Sequence, residues 1–183
     1  MKRFIVILLI FTVQKINSQS IFVCKNGEVT FFSEAPIENI DATSKSMNSI
    51  LNTSNGEIVF VVPMTSFRFK KALMQEHFNE KYVESDKYPN GTYKGKIKES
   101  IDYTKDGEYE ISSTGTITIH GVEKPRTEKG KIIIKNGEIK IQSEFHVPVK
   151  DHKIEIPRLV MQNIADTVKV NFTATYLAFK KDK

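Results

Sequence analysis

Residues 138–149 run Glu-Ile-Lys-Ile-Gln-Ser-Glu-Phe-His-Val-Pro-Val, and apolar and polar side chains alternate along most of the stretch. In a β-strand, successive side chains point to opposite faces, so a period of two predicts a strand. One face of this strand is apolar and the other is charged. Such a strand lies between an apolar and a polar environment.

The same period of two occurs elsewhere in the chain. Residues 168–176 place Val, Val, Phe, Ala and Tyr at every second position, and residues 93–101 place Tyr93, Ile97 and Ile101 opposite lysines. A further strand is expected over residues 60–69. These runs are longer than the usual strand of about five or six residues. They predict an all-β fold, an extended antiparallel β-barrel or sandwich.

Five glycines follow Asn or Asp, an arrangement that tolerates the positive φ of tight hairpin turns. The pairs are Asn26-Gly27, Asn55-Gly56, Asn90-Gly91, Asp106-Gly107 and Asn136-Gly137. Residues 72–80 instead place Leu73, Met74, His77 and Phe78 on one side of a helical wheel. A short helix that covers one end or edge of the barrel is expected there.

Periodicity alone leaves open which face of the strands points inward. Glu99, Gly95 and Ser143 interrupt the apolar rows, and the alternate rows are rich in Lys and Glu. Both features favour a water-soluble barrel over a membrane barrel. The inward aromatic side chains either fill the core or line a tunnel, and the filled core is the simpler interpretation.

The first eighteen residues have the features of a secretory signal peptide. Lys2 and Arg3 precede an apolar run over residues 4–13, and polar residues follow up to Ser18. The apolar run is too short to span a bilayer. We expect cleavage after Ser18, a single mature domain over residues 19–183 with no transmembrane span, and a periplasmic or secreted protein.

The composition and motifs exclude several classes of function. Hydrophobic residues make up 39% of the chain and charged residues 27%, which is ordinary for a globular domain. The mature chain is close to neutral, with the two signs mixed, so no nucleic-acid partner is expected. The sequence carries no motif for a nucleotide, a zinc ion or a catalytic serine. We expect no cofactor, no metal and no enzymatic activity.

Several segments resemble the YceI-like family of periplasmic polyisoprenoid-binding proteins. The most specific is residues 73–89, which end in Lys87-Tyr88-Pro89 and are followed by the aromatic Tyr93. Further similar segments are residues 55–69, 113–124, 145–149 and 166–176. The resemblance implies a lipocalin-like barrel of about eight strands whose apolar tunnel binds a polyisoprenoid, an isoprenoid quinone or a fatty-acyl lipid for storage or transport.

On this interpretation, alternating aromatic and aliphatic residues form the tunnel and the helical segment caps it. The residues expected to bind the ligand are Phe60, Val62, Phe67, Phe69, Tyr93, Phe145, Val147, Phe172 and Tyr176 in the wall, and Leu73, His77, Phe78, Tyr82 and Tyr88 in the cap. His77 or Tyr88 would offer a polar contact to the lipid head group.

Two other functions stay open at this point. One is an envelope interaction module with a filled barrel core, and the other is a lipid-modifying enzyme with Glu76, His77 and Glu80 as acid–base groups. The expected partner is a long-chain isoprenoid or fatty-acyl lipid, and a homodimer is left open.

Overall fold

The computed structural model describes residues 20–157 and 164–179, and this part of the chain forms nine β-strands and one short α-helix. The predicted signal peptide, residues 1–18, lies outside the described residues. The elements are, in chain order, β1 (Ile21–Ser33), β2 (Ile40–Asn52), β3 (Glu57–Pro63), β4 (Arg68–Phe69), α1 (Ala72–His77), β5 (Asn90–Ile97), β6 (Gly107–Ile119), β7 (Val122–Lys135), β8 (Glu138–Pro148) and β9 (Thr167–Ala178).

Eight long strands form a closed antiparallel barrel in the order β1-β9-β8-β7-β6-β5-β3-β2, and β2 pairs with β1 to complete the circle. The short strand β4 pairs with β2 beyond the end of β3. The predicted all-β, lipocalin-like barrel of about eight strands is confirmed. Each of these eight strands therefore pairs with a neighbour on both sides over at least part of its length.

The segment expected as one strand over residues 60–69 is interrupted. A 3₁₀ turn at Met64–Ser66 follows Pro63 and separates β3 from β4. The Ser66 hydroxyl donates to the Pro63 carbonyl oxygen at 2.5 Å and holds this turn. The helix is also shorter than expected: α1 ends at His77, and residues Phe78–Tyr82 form a π-helical turn.

Only two of the five predicted turns are hairpin turns. Gly56 closes the β2–β3 hairpin, and Asn136 and Gly137 close the β7–β8 hairpin with positive φ at both residues. Asn26, with φ of 63°, instead lies at a bulge within β1. The β6–β7 turn is His120-Gly121, with φ of 51° and 69°. This turn was not predicted from the sequence, because its glycine follows neither Asn nor Asp.

One end of the barrel is packed solid, and we call it the filled end. It contains the β2–β3 and β7–β8 turns and the loop between β5 and β6. Inward residues from six strands are at most 3% exposed there: Leu51, Ile58, Ile97, Ile132, Ile134, Ile139 and Tyr176. Tyr103, from the β5–β6 loop, also packs against this cluster, and burial raises the pKa of its phenol to about 12.

Two facing glycines remove side chains from the inner face halfway along the barrel. Gly95 of β5 pairs with Gly115 of β6. The ring of Tyr93 occupies the space that a Cβ on Gly95 would need, and a Cβ on Gly115 would collide with the carbonyl oxygen of Lys94. The close approach of backbone and ring here therefore depends on the absence of side chains.

This packing predicts that Gly115→Ala destabilises the barrel by about 1–3 kcal/mol, because the new methyl group meets backbone that cannot move aside. Thr114→Ala on the outer face of the same strand is the control and should cost about 0.5 kcal/mol or less. Urea unfolding followed by circular dichroism measures both. Equal stability of the two variants would show that β5 and β6 are not packed this closely.

Candidate functional site

The end of the barrel opposite the filled end is hollow, and we call it the open end. A cavity of about 520 Å³ lies within it, a volume within the range of small-molecule binding sites. Most of its lining is aliphatic or aromatic. Its floor consists of Met47, Ile58, Ile111 and Ile141, which also belong to the packed core below.

Aromatic rings from opposite sides of the barrel form the middle of the cavity wall. Phe60 of β3 contacts Phe172 of β9 edge to face, with 4.6 Å between ring centroids. Tyr93 of β5 lies 5.9 Å from Phe60 and donates or accepts a 2.8 Å hydrogen bond with the Ser113 hydroxyl. Burial raises the pKa of Tyr93, and this hydrogen bond lowers it in part.

A cluster of four phenylalanines attaches the helical segment to the barrel. Phe78, at the start of the π-helical turn, lies within 5.0–5.6 Å of Phe31, Phe67 and Phe69, measured between ring centroids. These three residues come from β1, the segment after the 3₁₀ turn, and β4. All four line the cavity. The cluster is therefore both the anchor of the cap and part of the apolar wall.

The cavity opens beside helix α1. Leu73 of this helix lines the cavity and is 60% exposed, which places it at the border between the cavity and solvent. Lys71 and Glu38 also line the cavity and form an ion pair at 2.5 Å across the β1–β2 connection. Three isoleucines complete this rim: Ile154, Ile156 and Ile164.

The structure brings twelve of the fourteen residues expected to bind the ligand to this one cavity. These are Phe60, Val62, Phe67, Phe69, Leu73, His77, Phe78, Tyr82, Tyr93, Phe145, Val147 and Phe172. Tyr88 and Tyr176 are not part of the lining. The assignment of ligand contacts to the twelve remains a prediction, which the experiments below address.

Tyr176 lies at the filled end, where it is fully buried. Its hydroxyl and that of Ser49 are 2.6 Å apart, and Ser49 donates to the Val59 carbonyl oxygen. Burial raises the pKa of Tyr176 strongly. The alternation along β9 predicts that Tyr176 faces inward, and it does. Alternation does not indicate how far along the barrel a residue lies, and Tyr176 lies below the cavity floor.

Tyr88 packs outside the cavity, against the β6–β7 turn. Its ring meets the His120 ring edge to face at 4.7 Å and covers Gly121. His120 in turn hydrogen-bonds the Glu84 carboxylate at 2.8 Å and the His152 carbonyl oxygen at 3.1 Å. Hydrogen bonds from Lys87 and then His120 lower the pKa of Glu84. Tyr88 therefore helps to tie the loops of the open end together.

The acid–base cluster of the enzyme alternative is not assembled at the cavity. His77 lines the cavity, but Glu76 and Glu80 are exposed and lie outside its lining. Within residues 20–157 and 164–179, no group of three or more His, Cys, Asp or Glu side chains is placed to hold a metal ion.

Strand β7 contributes polar residues to the cavity that the sequence did not indicate. Arg126 and Glu128 line the cavity and form an ion pair at 2.5 Å, with each side chain 21% exposed. Charged residues alternate along β7 on both faces, so the period of two gave no sign of which charges point inward. The pairing of β6 with β7, which places Glu128 opposite the inward Ser113, assigns these charges to the interior, and this pairing is known only from the structure.

The fold and site define a lipocalin-like barrel with an apolar cavity at one end. The family model described as YceI-like domain matches residues 12–176, and the chain belongs to this family. No curated protein sequence matches the chain. In the part of the chain that the structure describes, no helix has the length and apolar character needed to cross a membrane.

Solved structures with the same fold have low sequence identity to this chain. A polyisoprenoid binding domain from Saccharophagus degradans has a TM-score of 0.74 at 14% identity, over 88% of this chain and 100% of that one. Burkholderia cenocepacia BcnA has a TM-score of 0.69 at 13% identity, over 81% and 95%. The Campylobacter jejuni YCEI protein has a TM-score of 0.61 at 16% identity, over 99% and 100%.

We expect Phe78→Ala to lower the free energy of unfolding by about 2–4 kcal/mol, because the cluster loses its central ring. This loss is slightly smaller than that usual for a fully buried phenylalanine. Hydrogen exchange over residues 72–83 should also become faster, because the helical segment loses its anchor. Leu73→Ala in the same segment is the control, with a change of about 0.5 kcal/mol or less. Unchanged exchange in Phe78→Ala would mean that another contact holds this segment.

Proposed function

We propose that this protein is an exported lipid-binding protein that holds one long apolar chain in the cavity at the open end, for storage or transport. The observation that carries the proposal is the coexistence of a packed filled end and a hollow, aromatic-lined open end in one barrel. A protein that needed only a stable core would gain by filling that space, since each unfilled volume costs stability.

The free energy available from such a cavity is sufficient without any catalytic or charged group. Each buried methylene contributes about 0.8 kcal/mol, so a chain of about ten methylenes contributes roughly 8 kcal/mol before the cost of ordering the chain is subtracted. Pre-formed walls reduce that cost. The rings of Phe60 and Phe172 are already in contact with each other, which keeps the wall ordered without ligand.

Three further considerations support the proposal. The chain belongs to the YceI-like family, and one protein of the same fold is described as a polyisoprenoid binding domain. The apolar segment over residues 4–13 supports export, which makes the protein periplasmic or secreted. The cavity disfavours the alternative of an interaction module with a filled core.

The proposal predicts that a neutral long-chain lipid stabilises the delipidated protein. At about 100 times its dissociation constant, geranylgeraniol or hexadecanol should contribute about 2.7 kcal/mol, which corresponds to roughly 5–10 °C in Tm for a domain of this size. Phe172→Asp and Phe145→Asp place a charge in the cavity wall and should remove most of this shift. Differential scanning calorimetry measures it.

Asn171→Asp is the matched control, since Asn171 lies next to Phe172 on β9, faces outward and receives the same charge. It should keep the full shift in Tm. Circular dichroism verifies that each variant is folded. A wild-type protein whose Tm is unaffected by either lipid would favour the filled-core interaction module instead.

A further inference from the structure

The barrel wall is incomplete between β7 and β8. The two strands pair only from Lys131 with Gln142 to Lys135 with Glu138, although both continue toward the open end. The neighbouring pairs β6–β7 and β8–β9 are bonded along almost their whole length. We call the unpaired region the β7–β8 seam: residues 122–130 of β7 and 143–148 of β8.

Side chains bridge the seam in place of a backbone ladder. The Ser143 hydroxyl donates to the Lys129 carbonyl oxygen at 2.5 Å, at the point where pairing ends. Farther along, Nη2 of Arg126 donates to the His146 carbonyl oxygen at 2.7 Å. In a regular sheet a main-chain N–H group of β7 would donate to this carbonyl oxygen, and here the Arg126 side chain donates instead.

Strand β7 turns charged side chains toward the interior along the seam. Burial alternates along this strand, with Lys124, Arg126 and Glu128 less exposed than the residues between them. Nε of Arg126 donates to Oε1 of Glu128 at 2.6 Å, and Nη2 forms an ion-pair contact of 2.5 Å with the same oxygen. Both side chains line the cavity, so its apolar wall contains one ion pair.

The inner face beside this ion pair carries two glycines and two hydroxyl groups. Arg126 of β7 pairs with Gly115 of β6, which pairs with Gly95 of β5. The two inward positions next to Arg126 across the sheet are therefore glycines. Ser113, opposite Glu128, hydrogen-bonds the Tyr93 hydroxyl at 2.8 Å. A polar ligand group at this level would meet a guanidinium, a carboxylate and two hydroxyl groups.

The donors and charges at the seam favour a negatively charged group. Among the described residues, the Nη1 group of Arg126 has no hydrogen-bond acceptor, so its two N–H groups are available. Lys124, on the inner row of the same strand, adds a second positive charge, against the single carboxylate of Glu128. A guanidinium binds a carboxylate or phosphate with two parallel hydrogen bonds.

We propose that the β7–β8 seam is the head-group site of the cavity, and that Arg126 binds the anionic head group, a carboxylate or a phosphate, of an amphiphile whose apolar chain lies in the cavity. This inference rests on the proposed lipid-binding function and specifies its ligand class. Glu128 competes with the ligand for the guanidinium. It keeps Arg126 paired when the site is empty and weakens the binding of an anion.

The test compares three lipids with the same sixteen-carbon chain at pH 8: hexadecanoate, hexadecyl phosphate and hexadecanol. Isothermal titration calorimetry with delipidated protein should show that at least one anion binds the wild type about tenfold or more tighter than the alcohol, the difference expected for a charge-assisted hydrogen bond. Which anion binds more tightly assigns carboxylate or phosphate. Higher salt should reduce this difference but leave hexadecanol binding unchanged.

Variants of the two partners should change anion binding in opposite directions. Arg126→Gln should remove the preference for the anion, whereas Glu128→Gln should strengthen anion binding severalfold, because the guanidinium is no longer shared. A loss of stability alone would weaken binding in both. Lys131→Gln is the matched control: this residue is on the same strand but pairs with Glu108 and Glu110, and it should bind like the wild type.

The possible failures of the two proposals are distinguishable. Equal affinity of wild type for all three lipids, or an anion preference that persists in Arg126→Gln, would overturn the head-group site and leave lipid binding intact. Absence of binding to any of the three would overturn both. If Arg126→Gln does not fold, Arg126→Lys keeps the charge but loses the paired hydrogen bonds, and a fall in the anion preference then supports the site.

Discussion

A barrel of eight strands has an interior that its own side chains can just fill. Any cavity in such a barrel therefore depends on where the inward side chains stop filling the space. In this protein the boundary lies at the level of Met47, Ile58, Ile111 and Ile141. Below it, Tyr176 and the aliphatic residues around it are almost completely buried, and this core supplies stability that the hollow open end does not.

Besides the contact between Phe60 and Phe172, several contacts that lie beside the cavity keep the open end in shape. Phe78 and its three partner rings attach the helical segment, and the network of Glu84, His120 and the His152 carbonyl joins three loops. His152 itself is fully buried, and desolvation lowers its pKa. Such contacts leave the interior free for a ligand while they limit the conformational freedom of its walls.

Much of this architecture was predictable from the alternation of apolar and polar residues. Where one face of a strand is apolar and the other polar, this alternation assigns each side chain to one of them. Phe145 and Phe172 have inward parity, and both line the cavity. Depth was not predictable: Tyr176 has the same parity as Phe172 but lies below the floor. The prediction of hairpin turns at Asn-Gly and Asp-Gly pairs was also wrong where the glycine has another role. Gly91 lies within β5, where it pairs with Val62 and its missing Cβ leaves space for the end of the Met64 side chain, and no turn forms there.

The polar residues of the site were missed for a different physical reason. Along β7, charges occupy both faces, so a pattern of apolar and polar positions cannot separate the solvated face from the lining. Arg126 and Glu128 became recognisable only when the pairing of β7 with β6 and its separation from β8 were known. An apolar cavity with a charged pair in its wall suits an amphiphile better than a purely apolar molecule.

The central claim is that the open end accommodates one lipid chain per protein molecule. Native mass spectrometry of residues 19–183, followed by organic extraction and identification of the released compound, tests it most directly. The account predicts a single long-chain lipid adduct, or one that forms after incubation of delipidated protein with geranylgeraniol or hexadecanoate. A bare protein mass that persists after both incubations would contradict it.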